Sequence, residues 1–239
     1  MKYYNKIWII TLCLSLALVL VYIKVGDTVA VNAQAQLDES SSSPIIVIDA
    51  GHGGEDGGAV SPTGLLEKDV NLSVAKYLKS LFLQSGYEVV MIREEDKAIY
   101  DADAQTLREK KASDLHNRSD ICNSDSRHIL LSIHQNKFEY SKYSGTQVFY
   151  SKNDPLSQEL AESIRLSVKD LIQSDNNRNI VPATNSIYIL DKATVPAVLV
   201  ECGFLSNPEE ETLLKNESYK QKLALTVYLG FMNFINTNT

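Results

Sequence analysis

The chain has 239 residues, of which 44% are hydrophobic and 22% charged, and it carries a formal net charge of -7. That length holds one domain of about 200 residues beyond an N-terminal segment. The negative sign argues against nucleic acid, whose phosphates need clustered Lys and Arg, and against general charge attraction to an acidic polymer, so any anionic substrate has to be recognised locally.

Lys2 and Lys6 precede a 17-residue uncharged apolar run, Ile7 to Ile23. A basic start followed by an apolar stretch reads as an export signal, and this one is at the lower edge of membrane-spanning length. Residues 1–35 are therefore expected to be a signal peptide or an N-terminal membrane anchor. They hold Lys2, Lys6, Lys24 and Asp27, a net +2, which leaves -9 for the remainder. Residues 36–44 form a Ser-rich linker with Ser40 to Ser43 in a row. Residues 45–239 are expected to be the folded domain, placed outside the cytoplasmic membrane. Cys13 lies inside the apolar run, behind Leu12, where lipidation would need a small residue. Cys122 and Cys202 read as buried free thiols. The absence of a Cys-x-x-Cys pair argues against a structural zinc site.

Elements alternate along the rest of the chain. A strand over 45–49 leads into the Gly-rich loop Asp49-Ala50-Gly51-His52-Gly53-Gly54-Glu55-Asp56-Gly57-Gly58. Val70, Val74, Tyr77, Leu78, Leu81 and Phe82 then fall on helical spacing over about 67–85, closed by Gly86. A strand at 87–92, a polar loop from Arg93 to Gln105 and a helix near 106–123 with Arg118 follow. Strands at 128–133 and 146–150 flank a loop that carries His134. Pro155 opens a helix to about 173. Short strands are expected near 187–190 and 197–201, then a short acidic helix from Pro208 and a last helix over 218–235. Strands separated by helices predict an α/β fold: a single domain with a twisted, mostly parallel sheet of about six strands and helices on both faces.

Four segments carry candidate chemistry. The Gly-rich loop fits neither phosphate-binding template: it lacks Gly-Lys-Ser/Thr, and Asp56 stands where the dinucleotide pattern needs glycine. His52 sits between its glycines, an unsuitable place for a core residue. Glu67 and Asp69 open a helix, where acidic residues suit the dipole; that explanation suffices for Asp69, and Glu67 gains weight only through the histidines. His134 follows Ile129-Leu130-Leu131-Ser132-Ile133, and Glu201 follows Ala197-Val198-Leu199-Val200. A buried, unpaired carboxylate at the end of such a strand would be costly unless a metal or proton relay answered it. His116 lies among charges on a helix and His128 precedes its strand; neither is assigned a role. Two imidazoles and a carboxylate can hold Zn2+ with a position open for water, and a further carboxylate can take that water's proton.

Together the segments resemble the zinc-dependent N-acetylmuramoyl-L-alanine amidase family, the type 3 amidases, over roughly residues 45–236. The resemblance implies one Zn2+ per chain on His52, Glu67 and His134, with Glu201 as the catalytic carboxylate. The short domain and N-terminal apolar segment look most like the germination-specific amidases of spore formers, which act on spore-cortex peptidoglycan towards muramic-δ-lactam. Some clostridial members of that branch need a lipoprotein partner, which leaves such a partner open here; the membrane would be met only through the N-terminal segment. Gln135, Gly57 and Cys202 depart from the family's usual alanine, proline and threonine. Asn136 and the backbone N–H groups of Gly53 and Gly54 are candidates for holding substrate or the oxyanion, and Arg118 is read as a brace. A zinc peptidase cutting within the stem peptide, and a non-catalytic cell-wall-binding module, are the alternatives.

Overall fold

The run Ile45-Ile46-Val47-Ile48 is β-branched throughout, which suits a strand buried on both faces. In the computed structural model, which describes Lys24 and residues 43–238, it forms β1 (Ile45–Ala50), with all six residues buried. Apart from Lys24, the expected N-terminal segment, Cys13 and most of the linker lie outside the described residues. Among those described, no helix is long and apolar enough to cross a membrane.

Five more strands join β1: β2 (Glu88–Met91), β3 (His128–Asn136), β4 (Gln147–Tyr150), β5 (Val181–Pro182) and β6 (Ala197–Phe204). Their spatial order is β2-β1-β3-β6-β4-β5. The β2, β1, β3 and β6 neighbours pair in parallel, β4 runs antiparallel to β6, and β5 pairs in parallel with β4. This is the expected mostly parallel six-stranded sheet, with one reversed pairing.

Side chains alternate between the two faces of each strand. Ile46, Ile48, Leu131, Ile133, Val198 and Val200 meet the apolar faces of α1 (Glu67–Gln84), α3 (Leu156–Leu171) and α6 (Glu217–Asn238). Val47, Leu130, Ala197 and Leu199 point the other way, towards α2 (Leu107–Asn123) and α4 (Tyr188–Lys192). Asp49, Ser132, His134 and Glu201 share that second face by the same alternation. A short helix, α5 (Pro208–Lys215), is capped by Asn207 and follows β6.

Three expectations change. Residues 187–190 are not a strand: Tyr188–Lys192 is the one-turn helix α4, and the strand that precedes β6 is β5, Val181–Pro182. The apolar run satisfies its burial by turning Ile189 and Leu190 into the second core, so tertiary packing overrides strand propensity. His134 is not on a loop, because β3 continues through it to Asn136, with a register irregularity between the two. His128 does not precede its strand but opens it, buried, with Nδ1 at 3.0 Å from the Cys122 carbonyl.

Candidate metal centre

The parallel strands bring their C-terminal ends to one edge, where α/β sheets bind ligands. Register places His134 of β3 directly beside Glu201 of β6. The chain leaving β1 turns sharply at Gly51-His52-Gly53-Gly54. His52 has φ 63°, the only left-handed non-glycine residue among those described. A non-glycine residue there costs about 1–3 kcal/mol and persists only where its surroundings impose it.

Two buried arginines impose it. Arg93 Nε donates to the Ala50 carbonyl at 2.7 Å, and its Nη2 donates to Gly51 O at 3.1 Å. Arg118 Nη1 donates to Ala50 O at 3.1 Å and Nη2 to His52 O at 2.8 Å. Three successive carbonyls are thus gripped by two guanidiniums, which are 1% and 2% exposed. Arg118 also pairs with Asp49 and Asp114, so it braces the fold as the sequence suggested. Burial alone would raise the Asp49 pKa, but Arg118, His134 and Ser132 outweigh it and hold the carboxyl below its usual value.

The loop then fixes the start of α1. That helix has no side-chain cap; instead Glu67 N donates to Ala59 O and Lys68 N to Gly57 O. Glu67 therefore leaves the helix start aimed back at the loop. Its Oε2 accepts from Ala59 N at 2.8 Å, and its Oε1 accepts from Gln135 N at 3.1 Å. The same carboxylate meets His52 Nε2 at 3.2 Å and His134 Nδ1 at 2.9 Å. The imidazole rings stand edge to face, 5.0 Å between centroids. Gly51 and Gly58 have no room for a side chain: a Cβ on Gly51 would overlap the His134 ring, and one on Gly58 would press on Glu67 Oε2 and His52.

His52, Glu67 and His134 each offer a ligand atom, all within 4.8 Å of one another, the only such group of three or more among the described residues. His52 Nδ1 is held by Asp56 Oδ2 at 2.8 Å, and Lys111 in turn pairs with Asp56. An outer carboxylate of this kind fixes ring orientation for metal ligation. Burial would lower the His52 pKa, but Asp56 and Glu67 raise it to about 9. Burial would raise that of Glu67, but hydrogen bonds from both histidines hold it well below the usual carboxylate range. The cluster is three donors that attract positive charge, which fits a divalent cation.

Glu201 lies next to the cluster with nothing of its own. Its Oε2 is sealed from solvent without a hydrogen-bond partner. Burial pushes its carboxyl up to about 7, with Glu67 adding to the rise and the two histidines opposing it. Both His134 and Glu201 border a cavity of about 260 Å³, also lined by His52, Lys111 and Tyr188.

Other expectations are corrected here. The Gly53 and Gly54 N–H groups are already engaged, by Asp56 O at 2.9 Å and Asp96 Oδ1 at 2.8 Å. The turn uses them to close itself, so they do not face a ligand. Asn136 does not line the cavity beside the cluster; it lines a neighbouring one with Gln147, Arg178 and Phe204. Arg93, Asp56 and Gln147 do not stand out in the sequence as site residues. Of these, Asp56 carries a readable signal: it lies four residues beyond His52 in a glycine turn. Cys122 and Cys202 are free and buried.

A family model described as N-acetylmuramoyl-L-alanine amidase matches residues 46–233. The germination-specific N-acetylmuramoyl-L-alanine amidase of Bacillus subtilis is 34% identical over 197 residues, covering 81% of this chain and 80% of that one. Among solved structures, the CwlD amidase of Clostridioides difficile, in complex with the GerS lipoprotein, is 38% identical with a TM-score of 0.78. It is matched over its whole length, against 82% of this chain. An N-acetylmuramoyl-L-alanine amidase of Clostridium difficile 630 is 30% identical with a TM-score of 0.71, over 83% of this chain and all of that one.

Proposed function

The chain belongs to the N-acetylmuramoyl-L-alanine amidase family and is an amidase of peptidoglycan, and we propose that it works as a zinc enzyme on spore-cortex peptidoglycan. The bond cut joins the lactyl group of N-acetylmuramic acid to L-alanine of the stem peptide. The observation that carries the zinc reading is the cluster of His52, Glu67 and His134 beside a half-buried Glu201 whose Oε2 is sealed from solvent without a partner.

His52, Glu67 and His134 would hold one Zn2+. When bound, zinc supplies a Lewis acid for the carbonyl oxygen and lowers the pKa of water from about 15.7 towards about 7. Glu201 accepts a proton from the attacking water as the new C–O bond forms. It returns that proton to the L-alanine nitrogen as the C–N bond breaks, so one carboxyl serves as base and then acid. Asp56 and Lys111 keep the His52 ring turned for ligation.

The cortex role, as a step towards muramic-δ-lactam, is supported by the germination-specific relative. Action outside the cytoplasmic membrane, with residues 1–35 as signal or anchor, 36–44 as linker and 45–239 as the catalytic domain, is proposed from the basic start and apolar run of the N-terminal sequence. A lipoprotein partner is proposed from the likeness to the complexed CwlD amidase. Digestion of purified cortex peptidoglycan, with and without chelator, tests the reading. We expect release of whole stems beginning with L-alanine, abolished by chelator and restored by zinc. Fragments cut within the stem would instead identify a peptidase, and chelator-resistant release would remove the metal.

A further inference from the structure

The second cavity, of about 270 Å³, opens on the sheet face that carries Glu201. In the antiparallel pairing of β4 with β6, Gln147 stands opposite Glu201 and Phe149 opposite Leu199. Cβ atoms of such pairs lie about 4.5–5.5 Å apart. Gln147 is thus the neighbour of the candidate catalytic carboxylate on the side away from His134. Beyond it the wall is aromatic and planar-polar: Asn136, Phe204, Tyr143 and Phe138, with the Arg178 guanidinium 4.7 Å from the centroid of the Phe204 ring.

The aromatic wall continues as a row. Ring centroids step from Phe204 to Tyr143 (6.4 Å), Tyr143 to Phe138 (4.8 Å) and Phe138 to Tyr140 (6.2 Å), along the loop between β3 and β4. Phe138 is 49% and Tyr140 57% exposed, although apolar rings normally bury themselves. The row begins at a well-covered Phe204 and ends in solvent.

The scissile bond has unlike halves: a sugar acid on one side and a peptide amine on the other. One cavity is lined by Glu201 itself and the other by its cross-strand neighbour Gln147. The first is lined by charged groups, Lys111 among them. The second offers ring faces with the Asn136 amide and the outer edge of the Arg178 guanidinium, the Gln147 amide being bonded to Asn179 O and Arg178. The C–H faces of a pyranose are apolar and stack on aromatic faces, and planar side chains meet its hydroxyl and acetamido groups. A row that runs on past the cavity suits a polymer of such rings.

We infer that the groove from Gln147 through Phe204 and Tyr143 to Phe138 and Tyr140 binds the N-acetylhexosamine strand of the substrate, leaving the first cavity for the stem peptide. The inference rests on the amidase reading above, and it names where the glycan lies and which rings select a polymer over a single muramoyl peptide.

Binding without turnover separates this from the amidase reading itself. The probe is glycan strands stripped of their stem peptides, added to the full chain carrying Glu201→Gln, with affinity read by calorimetry. We expect binding that weakens roughly tenfold in Glu201→Gln/Tyr143→Ala, about the contribution of one ring stack, and returns with Tyr143→Trp. Phe138→Ala, an exposed position, should weaken it as well, and thermal midpoints matching the parent exclude misfolding. No binding of stripped strands by Glu201→Gln, or equal affinity in Tyr143→Ala and Phe138→Ala, would overturn the assignment and leave the exposed rings to a protein partner. Wild-type digestion of intact peptidoglycan, run in parallel, reports separately on amidase activity.

Discussion

The proposed chemistry turns on the Glu201 side chain, and its surroundings set two expectations. Glu201→Ala should keep its zinc and lose at least ~100-fold in kcat, since positioned acid–base groups contribute that much or more; activity near wild type would remove Glu201 from the reaction. Glu201→Gln should stabilise the metal-free protein at high pH. The folded carboxyl sits at about 7 against 4.5 for a free one, so its ionisation weighs against the fold from roughly pH 5 upward and reaches its full effect above about 7. Calorimetry of chelated protein should show the variant more stable at pH 8. The gain should reach up to a few kcal/mol, because each tenfold change in an ionisation equilibrium is worth about 1.4 kcal/mol, and it should fade towards pH 5. A pH-independent difference would contradict it. Behind the His52 ring, Asp56→Ala removes the carboxylate that holds Nδ1 and should cost about 10–100-fold in metal affinity, measurable by competition with a chromophoric chelator.

Among the elements, α2 shows what a sequence hides. Its N-terminus is readable: Thr106 and Glu109 form a reciprocal capping box. Its face is not, because it meets the sheet through Asp114 and Arg118 rather than an apolar stripe. Arg118→Met would leave Asp49 and Asp114 buried and unpaired and release the His52 carbonyl. We expect a loss of about 3–5 kcal/mol in chemical denaturation, the usual effect of breaking a buried ion pair from one side. A loss below about 1 kcal/mol, the scale of an exposed pair, would mean that Arg93 alone holds the turn. Arg93 itself is illegible in the sequence because it opens a polar stretch that reads as solvated loop, while its guanidinium folds inward onto Ala50 and Gly51. By contrast, His52, His134 and Glu201 are legible because each lies at or just beyond the end of a largely apolar strand, and such a strand in an α/β pattern ends at the ligand edge. The helix at 188–192 reads as a strand because a short apolar run satisfies a strand or a buried helical turn equally, and only packing decides.

For the molecule as a whole, the parallel strands supply a rigid edge, and the centre is assembled from segments up to 149 positions apart in sequence, His52 to Glu201. An ion held by three such segments binds the folded chain and not the unfolded one. Zinc at about one hundred times its Kd should therefore add about 2.7 kcal/mol to stability. A calorimetric scan should move to higher temperature with zinc in the parent and stay fixed in His134→Ala. The left-handed turn at His52 has a further consequence. Two buried arginines hold its conformation through the Ala50, Gly51 and His52 carbonyls, contacts that require no cation, so we expect the turn to be set before a cation arrives. Loading should then follow simple second-order kinetics, a single phase whose rate rises linearly with zinc concentration, with no slow rearrangement behind it.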